Sequence, residues 1–183
     1  MSLFKTKAVI LRISKLKEKD FIYDIFTYDY GKIKVQKKEW KKEKTLDLWY
    51  IINCEIETKE WKDIHKIKNI KIKSQFICDN KDFKTINEYL SIIGIIHKKL
   101  PSWIEFKDIF ELFQEINDKN NIDECKLILA KLKVIDLLWE LKVDNNNELV
   151  RKILRFINKN RIKDILKLSW INNELLIKLR NLN

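Results

Sequence analysis

Residues 21–36 read FIYDIFTYDYGKIKVQ, and the order of residue types in this stretch decides the fold. Its first seven residues are aromatic or β-branched apart from Asp24, the composition of a pleated, half-buried strand. Asp29, Tyr30 and Gly31 then supply a turn, since aspartate bonds to nearby backbone and glycine accepts a left-handed conformation. Lys32, Ile33, Lys34, Val35 and Gln36 alternate strictly, so the two runs form a hairpin. The same period continues on both sides. Residues 4–15 form a strand in which Ala8 and Ile10, with Arg12 and Ser14, face one way while Val9, Leu11 and Ile13 face the other. After a polar stretch over 37–45, residues 50–57 and 64–73 supply two further strands.

Five short strands before residue 80 suit a small closed barrel, for which the OB-fold is the candidate. Beyond residue 80 the apolar spacing changes to that of helices. Asp82 caps a helix reaching about residue 100, with Ile86, Tyr89, Leu90, Ile93 and His97 on one face, and Pro101 ends it. A second helix over 104–117 turns Phe106, Ile109, Phe110, Phe113 and Ile116 inward. A third, over 123–142, aligns Leu127, Ile128, Leu132, Ile135, Leu138 and Leu141. Asn145, Asn146 and Asn147 form a polar break, and shorter basic helices over 148–158, 162–168 and 174–179 close the chain. The expected class is α+β, an N-terminal five-stranded OB-fold barrel over 1–80 followed by an all-helical domain over 81–183.

Composition narrows the function. The chain has 183 residues, 45% of them hydrophobic and 36% charged, enough apolar material for a core. No run approaches the roughly 18 apolar residues of a membrane span, and residues 1–10 carry two lysines without the apolar centre of a signal peptide. A soluble cytoplasmic protein without membrane partners is expected. Cys54, Cys78 and Cys125 are far apart and the histidines are His65 and His97, so no ligand spacing for a metal exists. Phosphate-cradle and nucleophile-elbow motifs are absent, and Gly31 and Gly94 are the two glycines. Asp20, Asp24 and Asp29 form no acid–base pair and read as ordinary surface or turn carboxylates. The expectation is no enzyme, no catalytic residues, no metal and no cofactor.

The formal charge is +11, and it is unevenly spread. Residues 1–80 hold 19 basic against 12 acidic side chains, residues 81–149 hold 10 against 13, and residues 150–183 hold 9 against 2. A composition rich in Lys, Ile and Asn, as an A+T-rich genome produces, accounts for part of this excess. A concentrated positive face recruits a polyanion. Lys32 and Lys34 share a face of their strand while Ile33 and Val35 point inward, and Lys37, Lys38, Lys41, Lys42 and Lys44 lie in a rim loop. Basic loops beside such a sheet can track single-stranded nucleic acid, with Tyr28 or Tyr30 stacking on bases. Solvated lysines, offset by Glu39 and Glu43, are the competing explanation.

The order of residues adds a resemblance. Lys7-Ala-Val-Ile-Leu-Arg12, then Glu18-Lys-Asp20, then Ile25-Phe-Thr27, then Tyr30-Gly-Lys-Ile-Lys-Val35 resembles the opening of RecO, the bacterial recombination mediator with an N-terminal OB domain. The likeness after residue 80 is one of helix order. It departs at the zinc module: many RecO proteins carry four zinc-binding cysteines after the long helix, where this chain has Asn145 to Asn147. The resemblance implies a DNA repair and recombination mediator, nucleoid-associated, that binds single- and double-stranded DNA and anneals strands. It would work with RecR and the C-terminal tail of the single-strand-binding protein, and so help load RecA. By this resemblance Arg12, Lys15, Lys17, Lys32, Lys34 and the loop with Lys37, Lys38, Lys41, Lys42 and Lys44 would contact DNA, and Arg151, Lys152, Arg155, Arg161 and Lys163 would take the acidic tail. The rival function is a protein–protein adaptor with a structural barrel and a helical partner-binding domain.

Six tryptophans against two glycines is an inverted ratio, since glycine ordinarily makes up about 7% of residues. Trp40 sits where RecO relatives usually have glycine after lysine, and Trp139 where the family often has Leu-Leu-Gly. Trp61 lies in a turn, Trp103 follows Pro101 and Ser102, Trp170 follows Ser169 at a helix end, and Trp49 precedes a strand. At least four are turn or cap places that favour positive φ. Two readings stand: UGA glycine codons translated under another code, or genuine tryptophan, with Trp40 stacking on a base.

Overall fold

A computed structural model describes residues 2–38, 46–58, 60–79, 81–119 and 122–182. The chain is α+β: β1 (Ser2–Lys15), β2 (Asp20–Thr27), β3 (Gly31–Lys38), β4 (Ile51–Thr58) and β5 (Ile64–Ser74) precede α1 (Phe83–Lys99), α2 (Lys107–Asn117), α3 (Glu124–Leu137), α4 (Glu148–Lys159), α5 (Ile162–Ile165) and α6 (Asn173–Arg180). Among the described residues no helix is long and apolar enough to cross a membrane.

The expected hairpin is present. β2 and β3 pair antiparallel from Asp20↔Lys38 to Thr27↔Gly31. The Thr27 hydroxyl holds the turn, donating to the Gly31 carbonyl at 2.9 Å and accepting from the Tyr30 N–H at 3.0 Å. The strand order is β1-β2-β3-β5-β4, and β4 returns to pair with β1, so the sheet closes on itself. β3 and β5 run parallel for three residue pairs, Lys34↔Ile64 to Gln36↔Lys66. Ala8, Ile10, Tyr23, Ile25, Ile33, Val35, Ile52, Ile56 and Ile67 fill the interior. Each fully buried side chain of this size contributes about 1.5–3 kcal/mol.

The faces of β1 differ from the expected alternation. The pairing with β2 passes from Ile10↔Ile25 to Arg12↔Asp24, skipping Leu11. This bulge flips the parity, so Ile13 joins Ala8 and Ile10 against the core while Arg12 is exposed. An alternation rule carried straight through such a position assigns every later side chain to the wrong face.

The chain divides into two compact units. One comprises Met1–Phe76 with Ile93–Asn117, the other Ile77–Ile92 with Asp118–Asn183. A cut at residue 80 follows the change from strand to helix, whereas compactness groups the end of α1 and all of α2 with the strands. The reason is apolar surface on the outside of the sheet: Phe26 meets the Phe110 ring at 5.9 Å and Tyr28 meets it edge-on at 5.4 Å. In the second unit α3 is buried nearly all round from Leu127 to Ile135, Lys131 and Lys133 included. Lys131 pairs with Glu88 at 3.0 Å, and Lys133 bonds Asp136 at 2.7 Å and the Ile157 carbonyl at 3.0 Å. Asp82 caps α1 as expected, accepting from the Thr85 N–H at 2.8 Å. A hydrogen bond from the Thr85 side chain, and after it this backbone bond, hold its carboxyl below the usual range. The buried stripe of α1 runs through Thr85, Tyr89, Ile92 and Ile96, leaving Leu90 exposed.

Four tryptophans, Trp49, Trp61, Trp103 and Trp139, have φ between 61° and 63°. Trp170 does not, and Trp40 lies outside the described residues.

Candidate nucleic-acid interface

β5 carries the sequence IHKIKNIKIKS. Ile67, Ile70 and Ile72 pack against the core of the closed sheet, while Lys66, Lys68, Lys71 and Lys73 are exposed. Strict alternation would put Lys68 and Lys71 on opposite faces. Asn69 removes the conflict by taking a φ of 49°, and the register with β4 moves from Glu55↔Lys68 to Asn53↔Lys71 with one extra residue on β5. The bulge keeps Lys71 on the outer face with Lys66 and Lys68, and a second shift, from Ile52↔Ile72 to Ile51↔Ser74, follows at the exposed Lys73.

That face continues across the sheet. Lys5, Glu55 and Lys68 lie in one cross-strand row over β1, β4 and β5, and Lys7, Asn53 and Lys71 in the next. Lys5 approaches Glu55 at 3.5 Å, Asn69 donates to Glu55 at 2.6 Å, and Lys68 pairs with the buried Glu57. Six lysines therefore share the face with two glutamates. The Lys5–Glu55 pair, with its ammonium in solvent, contributes about 0–1 kcal/mol, so a polyanion can compete for Lys5, whereas Lys68 is held by a buried carboxylate.

After Gln36↔Lys66, β3 and β5 part, and a cleft of about 1070 Å³ opens between them. Lys37, Lys38, Lys66 and Lys68 line it with Asp20, over an apolar floor that includes Leu46, Ile67 and Ile70. The arrangement offers a cationic rim over apolar surface, which is what phosphates and bases need side by side. Among the described residues no group of three or more His, Cys, Asp or Glu side chains could hold a metal ion.

The positions expected from sequence distribute unevenly around this face. Arg12, Lys15, Lys17, Lys34 and Lys38 are exposed, and Lys37 is half-buried. Lys41, Lys42 and Lys44 lie outside the described residues. Lys32 is half-buried rather than fully displayed as alternation suggested: its ammonium donates to the His97 carbonyl at 2.7 Å, and the Lys32 carbonyl accepts from the Trp103 N–H at 3.3 Å. Burial lowers its pKa, against an opposing pull from Asp24. Asp24 is also no surface carboxylate. It is buried, and its Oδ2 lies 2.7 Å from His97 Nε2. Asp29 accepts from the Thr6 hydroxyl at 2.8 Å. Both aromatics offered for stacking are engaged in packing, Tyr30 against Phe4 at 4.1 Å and Tyr28 against Phe110 with the Lys107 ammonium 5.6 Å from its ring centre.

Sequence reasoning missed Lys66, Lys68, Lys71 and Lys73. Two Lys-x-Lys pairs separated by Asn-Ile were the available signal, since asparagine is among the residues that tolerate the left-handed conformation of a bulge.

The second unit holds its own basic face. Arg151, Lys152 and Arg155 lie on α4 away from the buried Val150, Ile153, Leu154 and Ile157, with Lys152 paired to Glu148 at 2.8 Å. Arg161 and Lys163 follow, exposed, at the start of α5. No family model and no curated protein matches the chain.

Proposed function

We propose that the protein is a DNA-binding repair mediator of the RecO kind, lacking the zinc module, whose closed sheet is an OB-fold barrel that binds single-stranded DNA. The lysine ladder of β5 carries the reading: four exposed lysines on one strand, Lys68 among them paired with Glu57, beside the Lys37–Lys38 end of β3. Lysines spaced two residues apart on a strand sit about 6.6 Å apart, a regular track for a phosphate backbone. The order of residues from Lys7 to Val35 supports the RecO kind over other OB proteins. In this reading the DNA site lies on β5, β4 and the start of β1 with the rim at Lys37 and Lys38, and Lys32 is structural. Strand annealing, a RecR-like partner and indirect delivery of RecA follow from the RecO resemblance. The basic face of α4 would meet the acidic C-terminal tail of the single-strand-binding protein.

The test is fluorescence anisotropy of labelled single-stranded DNA over a salt series. Lys66→Ala, Lys68→Ala, Lys71→Ala and Lys73→Ala together should weaken binding. The slope of log K against log salt should flatten by about 0.7 for each phosphate that the variant no longer neutralises. Unchanged affinity and slope would sink the assignment. No DNA binding at all, with salt-insensitive binding to a protein, would favour the adaptor.

A further inference from the structure

Six described residues have left-handed backbone: Gly31, Asn69 and four tryptophans, Trp49, Trp61, Trp103 and Trp139. Glycine adopts this conformation freely because it has no Cβ to crowd the adjoining carbonyl, and asparagine because its short polar side chain bonds locally to the backbone. A bulky aromatic side chain there is an outlier, and four at nearly the same φ are not explained by local strain at one functional site.

Local geometry at Trp139 is specific. It occupies the position just after the last residue of the α3 cap, where its N–H bonds the Asp136 carbonyl at 2.9 Å and the Glu140 N–H bonds the Ile135 carbonyl at 3.0 Å. These are the two bonds of a Schellman motif, whose left-handed residue is usually glycine. Trp61 lies in the turn between β4 and β5, and Trp103 follows Ser102 between α1 and α2. Trp49 stands in the turn before β4, with its N–H on the Ile10 carbonyl at 3.0 Å.

Burial gives an independent argument. Tryptophan stabilises a fold by removing a large apolar surface from water. None of the five described tryptophans is buried, and Trp61 and Trp139 are 101% and 93% exposed. A chain this short of glycine has glycine's conformation at positions occupied by the residue whose codon differs from UGA in one base.

We propose that positions 49, 61, 103 and 139 are glycine in the native protein, encoded by UGA, and that tryptophan stands there through translation under a code in which UGA means tryptophan.

Peptide masses of the protein isolated from its own cells test this directly. Glycine at the four positions is the expected result; tryptophan there, or UGG in the gene at those codons, overturns it. A second measurement compares recombinant chains by thermal melting. Trp49→Gly, Trp61→Gly, Trp103→Gly and Trp139→Gly together should raise the midpoint, while Trp170→Gly alone should not. An unchanged or lower midpoint for the fourfold variant would mean that the indole rings belong to the native packing, and overturns the proposal.

Discussion

Gly31 illustrates what one backbone conformation demands of a residue. Its φ is 68°, and a Cβ built there would lie 2.1 Å from the Ile104 carbonyl oxygen, so both conformation and space require glycine. The tryptophans with the same φ meet the first of these conditions, and their unsuitability was legible in the sequence as a mismatch between residue type and turn position. The fate of Lys32 was not legible, because the carbonyl that takes its ammonium belongs to His97, 65 residues away. His65 carries a pH prediction. It is buried, and burial lowers its pKa against a smaller opposing pull from Asp63. The unfolded imidazole takes a proton near pH 6.5 and the folded one only at lower pH. Within that window the unfolded chain binds more protons, so this contribution is fully present above about pH 6.5 and is lost as pH falls through the folded pKa. His65→Gln should flatten the dependence of urea midpoint on pH between about 5 and 7.

Elements depend on short-range signals, and most were readable. Strand and helix positions followed from periods of about 2 and 3.6, and Asp82 and Pro101 marked the ends of α1 and Asn147 the start of α4, whereas α3 stops at Leu137, short of the expected residue 142. Asn147 caps α4, accepting from the Leu149 and Val150 N–H groups, both at 3.1 Å. Asn147→Ala should cost about 1 kcal/mol in denaturant unfolding, and Asn147→Asp should restore most of it. The register shifts were hidden. Leu11, Asn69 and Lys73 each add one residue to a strand, and only the partner strand's register shows that one residue is extra. At Asn69 the consequence is exposure, since without it Lys68 and Lys71 would fall on opposite faces of β5.

The whole molecule separates two positive surfaces that the sequence total of +11 merges. One lies on the closed sheet, where Lys66, Lys68, Lys71 and Lys73 stand in a line, and the other on α4, where Arg151, Lys152 and Arg155 share the side away from the buried stripe. Their separate placement in the two compact units predicts separable effects. Arg151→Ala, Lys152→Ala and Arg155→Ala together should weaken binding of an acidic C-terminal-tail peptide several-fold while leaving single-stranded DNA affinity within about twofold. The β5 quadruple variant should do the reverse. Calorimetry with the peptide and anisotropy with the DNA measure the two.

Local rules in the sequence alone determined the strand-then-helix order, the hairpin at Gly31, the capped starts of α1 and α4 and the basic ends of the chain. They operate over a few residues: side-chain periodicity, caps and turn chemistry. The tertiary structure decided which strands close the sheet, which helices belong with it and which lysines remain exposed. It also decided that Asp24 is buried against His97. Each of these depends on groups far apart in sequence competing for the same surface, and no local pattern records which of them wins.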